Sequence, residues 1–242
     1  MTDKDNLFAD VQLEIAPFSF DDKVASVFSD MIKRSVPGYG QTLQMIELIA
    51  HQYAQPDSQL YDLGCSLGAA TVAMQRGISA PDCRVIAVDN SPAMISRCRD
   101  NLTPETGDTP IELRCADILQ TDIKNASVVV MNFVMQFIAK EERLALLEKV
   151  QQGLRPGGVL ILSEKICFED GEENQRQTEL YEAYKRAQGY SQLEISRKRT
   201  ALENVLVPET LDEHHTRIKT AAFSSSHTWF QCFNFASMLA IK

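Results

Sequence analysis

No run of this sequence is apolar for long enough to cross a bilayer. The longest candidates, Ala126–Met131 and Val159–Leu162, fall far short of the roughly 20 residues a spanning helix needs. The opening residues, MTDKDNLFADVQLEIAPFSF, lack a basic start followed by an apolar stretch, so a secretory signal is not expected there. Positive charge is also short: 24 Lys and Arg face 33 Asp and Glu, for a net charge of −9. That balance disfavours a broad electropositive face and direct nucleic-acid binding. The cysteines (Cys65, Cys83, Cys98, Cys115, Cys167 and Cys232) form no CxxC pair, and the four histidines show no HExxH spacing. The expectation is reduced, mostly packed thiols, no metal site and a cytoplasmic protein without membrane contact.

What the chain does have is alternation. Gln59–Leu63, Arg84–Val88, Ile111–Cys115, Ser127–Met131 and Val159–Ser163 read as strands, several of them apolar without period-two alternation. Strands covered on both faces look like this. Between them Ala69–Gly77, Pro92–Asn101 and Lys140–Leu154 read as helices, which implies a parallel sheet with right-handed crossovers. Ser91 offers an N-cap with Pro92 at the first helical position, and Pro156-Gly157-Gly158 predicts a turn into the fifth strand. Ser226–Gln231 and Phe233–Ile241, nearly without connector, suggest an antiparallel pair at the sheet's end, with Trp229 in its core. The reading is one α/β domain over 1–242. Two helical segments near Asp22–Arg34 and Gln41–Tyr53 form an N-terminal lid (about 1–54), joined by a helical insertion at about 165–219.

The strand ends carry the chemistry. Gly64 in Asp62-Leu63-Gly64-Cys65-Ser66-Leu67-Gly68 suits a tight turn and close approach of a ligand, and Gly68 lets the next helix pack on the strand. A plain strand-to-helix turn would also explain this spacing. Asp89, ending the second strand 25 residues beyond Gly64, is placed to accept hydrogen bonds from ribose hydroxyls, with Asn90 beside it. Asp117 can accept from an exocyclic amine such as that of adenine, with Ile118 as apolar cover, and Asn132 puts an amide at the fourth strand's end. Four consecutive strand ends thus aim polar groups at one crevice. The Gly-x-Gly-x-x-Gly spacing that seats a pyrophosphate is absent, so a phosphate-free nucleoside fits better than a dinucleotide.

This pattern resembles the class I S-adenosylmethionine (SAM)-dependent methyltransferases, with Ser66 standing where their motif usually has glycine. The resemblance implies a Rossmann-like, seven-stranded, mostly parallel sheet with an antiparallel terminal pair. Ser35-Val-Pro-Gly-Tyr39, Tyr61 through Ala70, Asp89 through Ile95, Ser163-Glu-Lys165, Gly189 through Ile195 and Trp229 through Phe235 are together similar to the carboxy-S-adenosyl-L-methionine synthase family. That family implies a transferase that keeps the methyltransferase fold but places a carboxyl from prephenate on the methyl carbon of SAM, releasing phenylpyruvate. Its product serves a separate tRNA carboxymethyltransferase that modifies wobble uridine to 5-oxyacetyluridine. It implies SAM and carboxy-SAM contacts from Tyr39, Gly64, Cys65, Ser66, Asp89, Asn90, Asp117, Ile118, Asn132 and Arg199, no metal, and a homodimer. Tyr39 and Arg199 would meet carboxylates, Arg199 from its own or the neighbouring subunit. Arg197, Lys198, His214 and His215 read as solvated surface, and Cys65 as a backbone contact with no nucleophilic role. Two other functions fit the crevice: a methyltransferase acting on a small acidic metabolite, and a non-catalytic SAM-binding partner of a tRNA-modifying enzyme.

Overall fold

The apolar runs meet edge to edge in a seven-stranded sheet of order β3-β2-β1-β4-β5-β7-β6. The strands are β1 (Gln59–Leu63), β2 (Arg84–Asp89), β3 (Ile111–Cys115), β4 (Ala126–Asn132), β5 (Leu154–Lys165), β6 (Ser225–Cys232) and β7 (Phe235–Ile241). The computed structural model describes residues 4–9, 18–102, 107–203 and 205–242. β1 through β5 are parallel, and β7 runs antiparallel to both β5 and β6. The helices are α1 (Asp22–Ser35), α2 (Tyr39–Tyr53), α3 (Ala69–Gly77), α4 (Pro92–Asn101), α5 (Lys140–Gly153), α6 (Gly171–Ala187), α7 (Gln192–Leu202) and α8 (Leu211–Thr220).

Both sheet faces are covered, which is why the central strands need no polar alternation. Leu60, Val85, Val128, Val130 and Ile161 pack under Ile46 and Ala50 of α2 and Ala73 and Met74 of α3. Their strand neighbours Leu63, Val88, Val129, Met131 and Leu162 pack on Leu146, Leu147 and Val150 of α5 and Ile218 of α8. The Ser91 hydroxyl caps α4 by accepting from Met94 N at 3.2 Å, as its place before Pro92 predicts.

Several boundaries differ from the sequence reading. Pro156-Gly157-Gly158 lies inside β5, where the register with β4 shifts between Ala126 and Val128, and Gly157 takes φ +73° to absorb the irregularity. Phe233 and Asn234 form the β6–β7 turn, so β7 starts at Phe235. Tyr39 belongs to the first turn of α2, after Gly38 at φ +75°, where a Cβ would sit 2.2 Å from the Phe230 ring.

The insertion is anchored by a buried ion cluster. Arg143 of α5 pairs with Glu209, which also accepts from Arg217 of α8 at 2.8 Å. Arg143 further donates to the Ile138 and Val207 carbonyls, each at 3.0 Å. His214 was expected in solvent. It is buried beside this cluster, with neither ring nitrogen partnered among the described residues, and His215 bonds to Ser226 and Thr228 of β6. The periodicity of α8 accounts for the difference, because His214 shares a face with Ile218.

Burial pushes His214 down to about 4. The folded protein therefore prefers the neutral ring, and stability present above the ordinary value near 6.5 is lost as pH falls toward 4. The loss is on the order of 3 kcal/mol. His214→Phe is expected to melt at least as high as wild type at pH 7, and its melting temperature should fall less between pH 6.5 and 4. Parallel wild-type and variant curves would place the acid sensitivity elsewhere.

Candidate active site

The chain passes from β1 outward through β2 and β3, then returns to lay β4 on the other side of β1. In an open parallel sheet this switch opens a crevice at the carboxyl ends of the strands. A cavity of about 400 Å³ lies there, and Gly64, Ser66, Asp89, Asn90, Asp117, Ile118 and Asn132 all line it.

Local chemistry fixes each of these groups. Gly64 adopts φ +83°, and a Cβ there would lie 2.5 Å from a Val134 methyl. Ser66 holds a left-handed backbone at φ +51°, unusual for a residue with a side chain. Two contacts offset that cost: its N–H donates to Asp89 Oδ2 at 2.9 Å, and its hydroxyl meets Met94 Sδ at 3.5 Å. Asp89 Oδ1 accepts from Ser91 N, also at 2.9 Å. The carboxylate thus clamps the β1–α3 turn to the start of α4 and keeps acceptor capacity for a ligand. Burial raises Asp89 above the usual carboxylate range, and the two N–H donors oppose that shift. Asp117 Oδ1 accepts from Leu119 N at 2.8 Å, which orients an otherwise exposed side chain. The Asn132 side-chain oxygen is buried with no partner among the described residues. A buried acceptor of this kind calls for a donor from a ligand.

Asp62 has a different task. Its buried carboxyl accepts from the Thr71 hydroxyl at 2.6 Å, latching β1 to α3, and burial pushes it up to about 7. Cys65 lies outside the cavity lining and is nearly enclosed. A hydrogen bond with Cys98 and burial raise its thiol far out of the range of a thiolate nucleophile. Tyr39 is also outside the lining. It packs on Val36 and Phe235, which do line the cavity, and burial raises its phenol.

Beyond β4 the cavity becomes aromatic and then cationic. Phe133 and Phe235 meet edge-on with centroids 5.8 Å apart, and Tyr181 of α6 stands 5.0 Å from Phe235. Phe18, Phe20, Phe28 and Phe137 close another side, with Phe20 at 5.2 Å from both Phe18 and Phe137. Lys165 and Lys198 reach the lining. Lys198 contradicts its reading as surface: its side chain is 11% exposed, 3.8 Å from Asp5 and 3.0 Å from the Ser35 hydroxyl. Arg197 is half-buried, also unlike a solvated residue. Arg199 does not line the cavity. Its side chain is 63% exposed and pairs with Glu182 at 3.2 Å, although its charge is near enough to help depress Lys165. Trp229 is half-buried and packs on the sheet.

Sequence reasoning missed Lys165, Lys198, Tyr181 and the phenylalanine wall. Only Lys165, the last residue of β5, carried the strand-end signal that identified its neighbours. Glu164 was missed as well: its buried carboxylate accepts from the N–H groups of Val134, Met135 and Gln136 and so holds the loop that faces Gly64.

A family model described as a methyltransferase domain matches residues 60–158. Among solved structures, a putative SAM-dependent methyltransferase from Methanococcus maripaludis superposes with TM-score 0.61 at 18% identity, covering 95% of this chain and 97% of that one. Human N-acetylserotonin methyltransferase in complex with SAM gives 0.63 at 15% identity, over 91% of this chain and 55% of that one. Sheet order, crevice and neighbours define a class I SAM-dependent methyltransferase fold.

Sequence relatives narrow the class. Carboxy-S-adenosyl-L-methionine synthase of Trichlorobacter lovleyi is 57% identical over all of both chains. The proteins of that name from Geobacter sp. and Shewanella woodyi are 56% and 53% identical, each over at least 98% of both chains. The chain belongs to the carboxy-S-adenosyl-L-methionine synthase family.

Proposed function

We propose that this enzyme converts SAM and prephenate to carboxy-SAM, phenylpyruvate and water. The observation that carries this reading is the joining of a nucleoside-reading edge to an aromatic-walled chamber within one cavity. Asp89 takes the ribose hydroxyls, Asp117 and Ile118 the adenine, and Gly64, Ser66, Asn90 and Asn132 the remainder of SAM. The unpartnered Asn132 oxygen and the side-chain-free approach at Gly64 fit such a ligand. The sulfonium acidifies the methyl protons of SAM, so that carbon can take up carbon dioxide once a proton is removed.

The donor supplies both the carbon dioxide and the base. Its ring carboxylate leaves as carbon dioxide, the freed electron pair aromatises the ring, and the ring hydroxyl departs as hydroxide. Hydroxide takes a methyl proton and becomes water, and the methyl carbon bonds to carbon dioxide. The acids lining the cavity, Asp89 and Asp117, face the nucleoside edge, so among the described lining residues no carboxylate competes for that proton. Phe133, Phe235 and Tyr181 exclude bulk water, which protects the carbanion-like carbon and strengthens every charge contact there. Tyr39 and Arg199 are assigned to carboxylate recognition, and α1, α2 and the insertion act as the lid. A homodimer, a cytoplasmic setting without nucleic-acid or membrane contact, and delivery of the product to a tRNA wobble-uridine carboxymethyltransferase complete the proposal.

Incubating the protein with SAM and prephenate is expected to give phenylpyruvate and carboxy-SAM in equal amounts, followed by absorbance and mass spectrometry. S-adenosylhomocysteine with a methylated acid in their place would return the chain to the ordinary methyltransferases. Tight SAM binding without turnover would favour a binding subunit.

A further inference from the structure

We infer that Lys165 forms an anion subsite with the Tyr181 ring behind it, and that it holds the carboxylate the donor keeps, the one that leaves on the 2-oxo acid product. This rests on the function proposed above and adds a residue and a ligand group to it.

Sheet order makes the first part of the case. Ribose and adenine belong to the tips of β2 and β3, and the sulfonium end of SAM to the tips of β1 and β4. Strands lie about 4.8 Å apart, so the tip of β5 is roughly 10 Å beyond that of β1. Lys165 is the last residue of β5 and lines the cavity there. It therefore addresses what lies past SAM.

Charge pairing makes the second part. Lys165 Nζ sits 5.3 Å from the Tyr181 centroid, and Lys185 Nζ, on a buried side chain, 4.4 Å from the same ring. Neither lysine has an ion pair among the described residues, because the nearby Glu182 bonds to Arg199 and Arg186. Lys198 differs, since Asp5 and Ser35 already occupy it. Burying an ammonium without an anion is costly unless a ligand supplies one. The quadrupole of the ring offsets part of that cost but leaves the N–H donors free. Burial and the positive charge of Arg199 hold Lys165 below its ordinary range, a strain that an arriving carboxylate relieves.

The test uses the full chain, purified, with Lys165→Met and Lys165→Arg. In Lys165→Met the KM for prephenate is expected to rise at least tenfold, and competitive inhibition by phenylpyruvate to weaken by a similar factor. SAM affinity by calorimetry should stay within twofold, and the ligand-free melting temperature should equal or exceed wild type. Lys165→Arg should recover part of the donor affinity. Unchanged KM and inhibition would overturn the subsite. A parallel loss of SAM affinity would also overturn it, by assigning Lys165 to the methionine carboxylate, as would a lower melting temperature without ligand. If wild type makes no carboxy-SAM from prephenate, the functional reading fails independently. The subsite is then decided by calorimetric binding of phenylpyruvate to the SAM-loaded wild type and its loss in Lys165→Met, and no wild-type binding would overturn it.

Discussion

Arg199→Ala is expected to slow carboxy-SAM formation by about a hundredfold while leaving SAM affinity within about twofold. The guanidinium would read an anion that appears only with the donor or the product, so SAM alone does not sense its removal. Losing one partner of a buried charge pair costs about 2–5 kcal/mol, which sets that scale. In the single chain Arg199 is largely exposed and held by Glu182. To contact a carboxylate at the reacting carbon it must exchange that partner, either by a movement of α7 or by entering the site of a second subunit. Mixing Arg199→Ala with a variant dead at the nucleoside edge separates these routes. Recovery of activity in hybrid dimers indicates an arginine that crosses between subunits. No recovery after confirmed exchange indicates one that acts within its own chain. Equal loss of SAM and carboxy-SAM affinity would remove Arg199 from carboxylate recognition altogether.

Asp89→Ala carries the second large effect, a loss of SAM affinity of tenfold to a hundredfold in calorimetry. Hydrogen bonds to a charged group are worth about 1.5–3 kcal/mol each, and a factor of ten is about 1.4 kcal/mol. Asp89 also clamps Ser66 N and Ser91 N, so the alanine variant frees the left-handed turn that shapes the pocket. Asp89→Asn removes the charge and keeps one acceptor oxygen, so it can hold only one of the two clamped N–H groups. An intermediate affinity is expected for it, with circular dichroism unchanged. Wild-type affinity in both variants would show that the ribose binds elsewhere.

The nucleoside edge was legible in the sequence because each of its groups sits where a strand stops. Gly64, Asp89, Asp117 and Asn132 stand at or just past the ends of β1 to β4, and in a parallel sheet those ends share one side. The opposite wall had no such marker. Lys198 reads as one member of a basic Arg-Lys-Arg run, and its burial comes from Asp5 and Ser35, residues far away in the chain. Tyr181 lies in a polar helix whose pattern gives no hint that one ring turns inward against Phe235. His214 misled for the same reason: an adjacent pair of histidines looks solvated until the face shared with Ile218 is known. Local periodicity reports the sheet and its edges, whereas contacts between distant segments decide the chamber.

One of those distant contacts bears on the order in which the molecule is made. Asp5 is 2% exposed, accepts from the Tyr190 hydroxyl and faces the ammonium of Lys198. Tyr190 follows Asp5 by 185 residues and Lys198 lies further on still, so this contact can form only once α7 has been translated. Asp5 thus ties the segment ahead of α1 to the insertion, and this contact closes the wall on which Lys198 stands. The groups of the nucleoside edge, from Gly64 to Asn132, are therefore all translated before Tyr181 and Lys198 of the chamber wall.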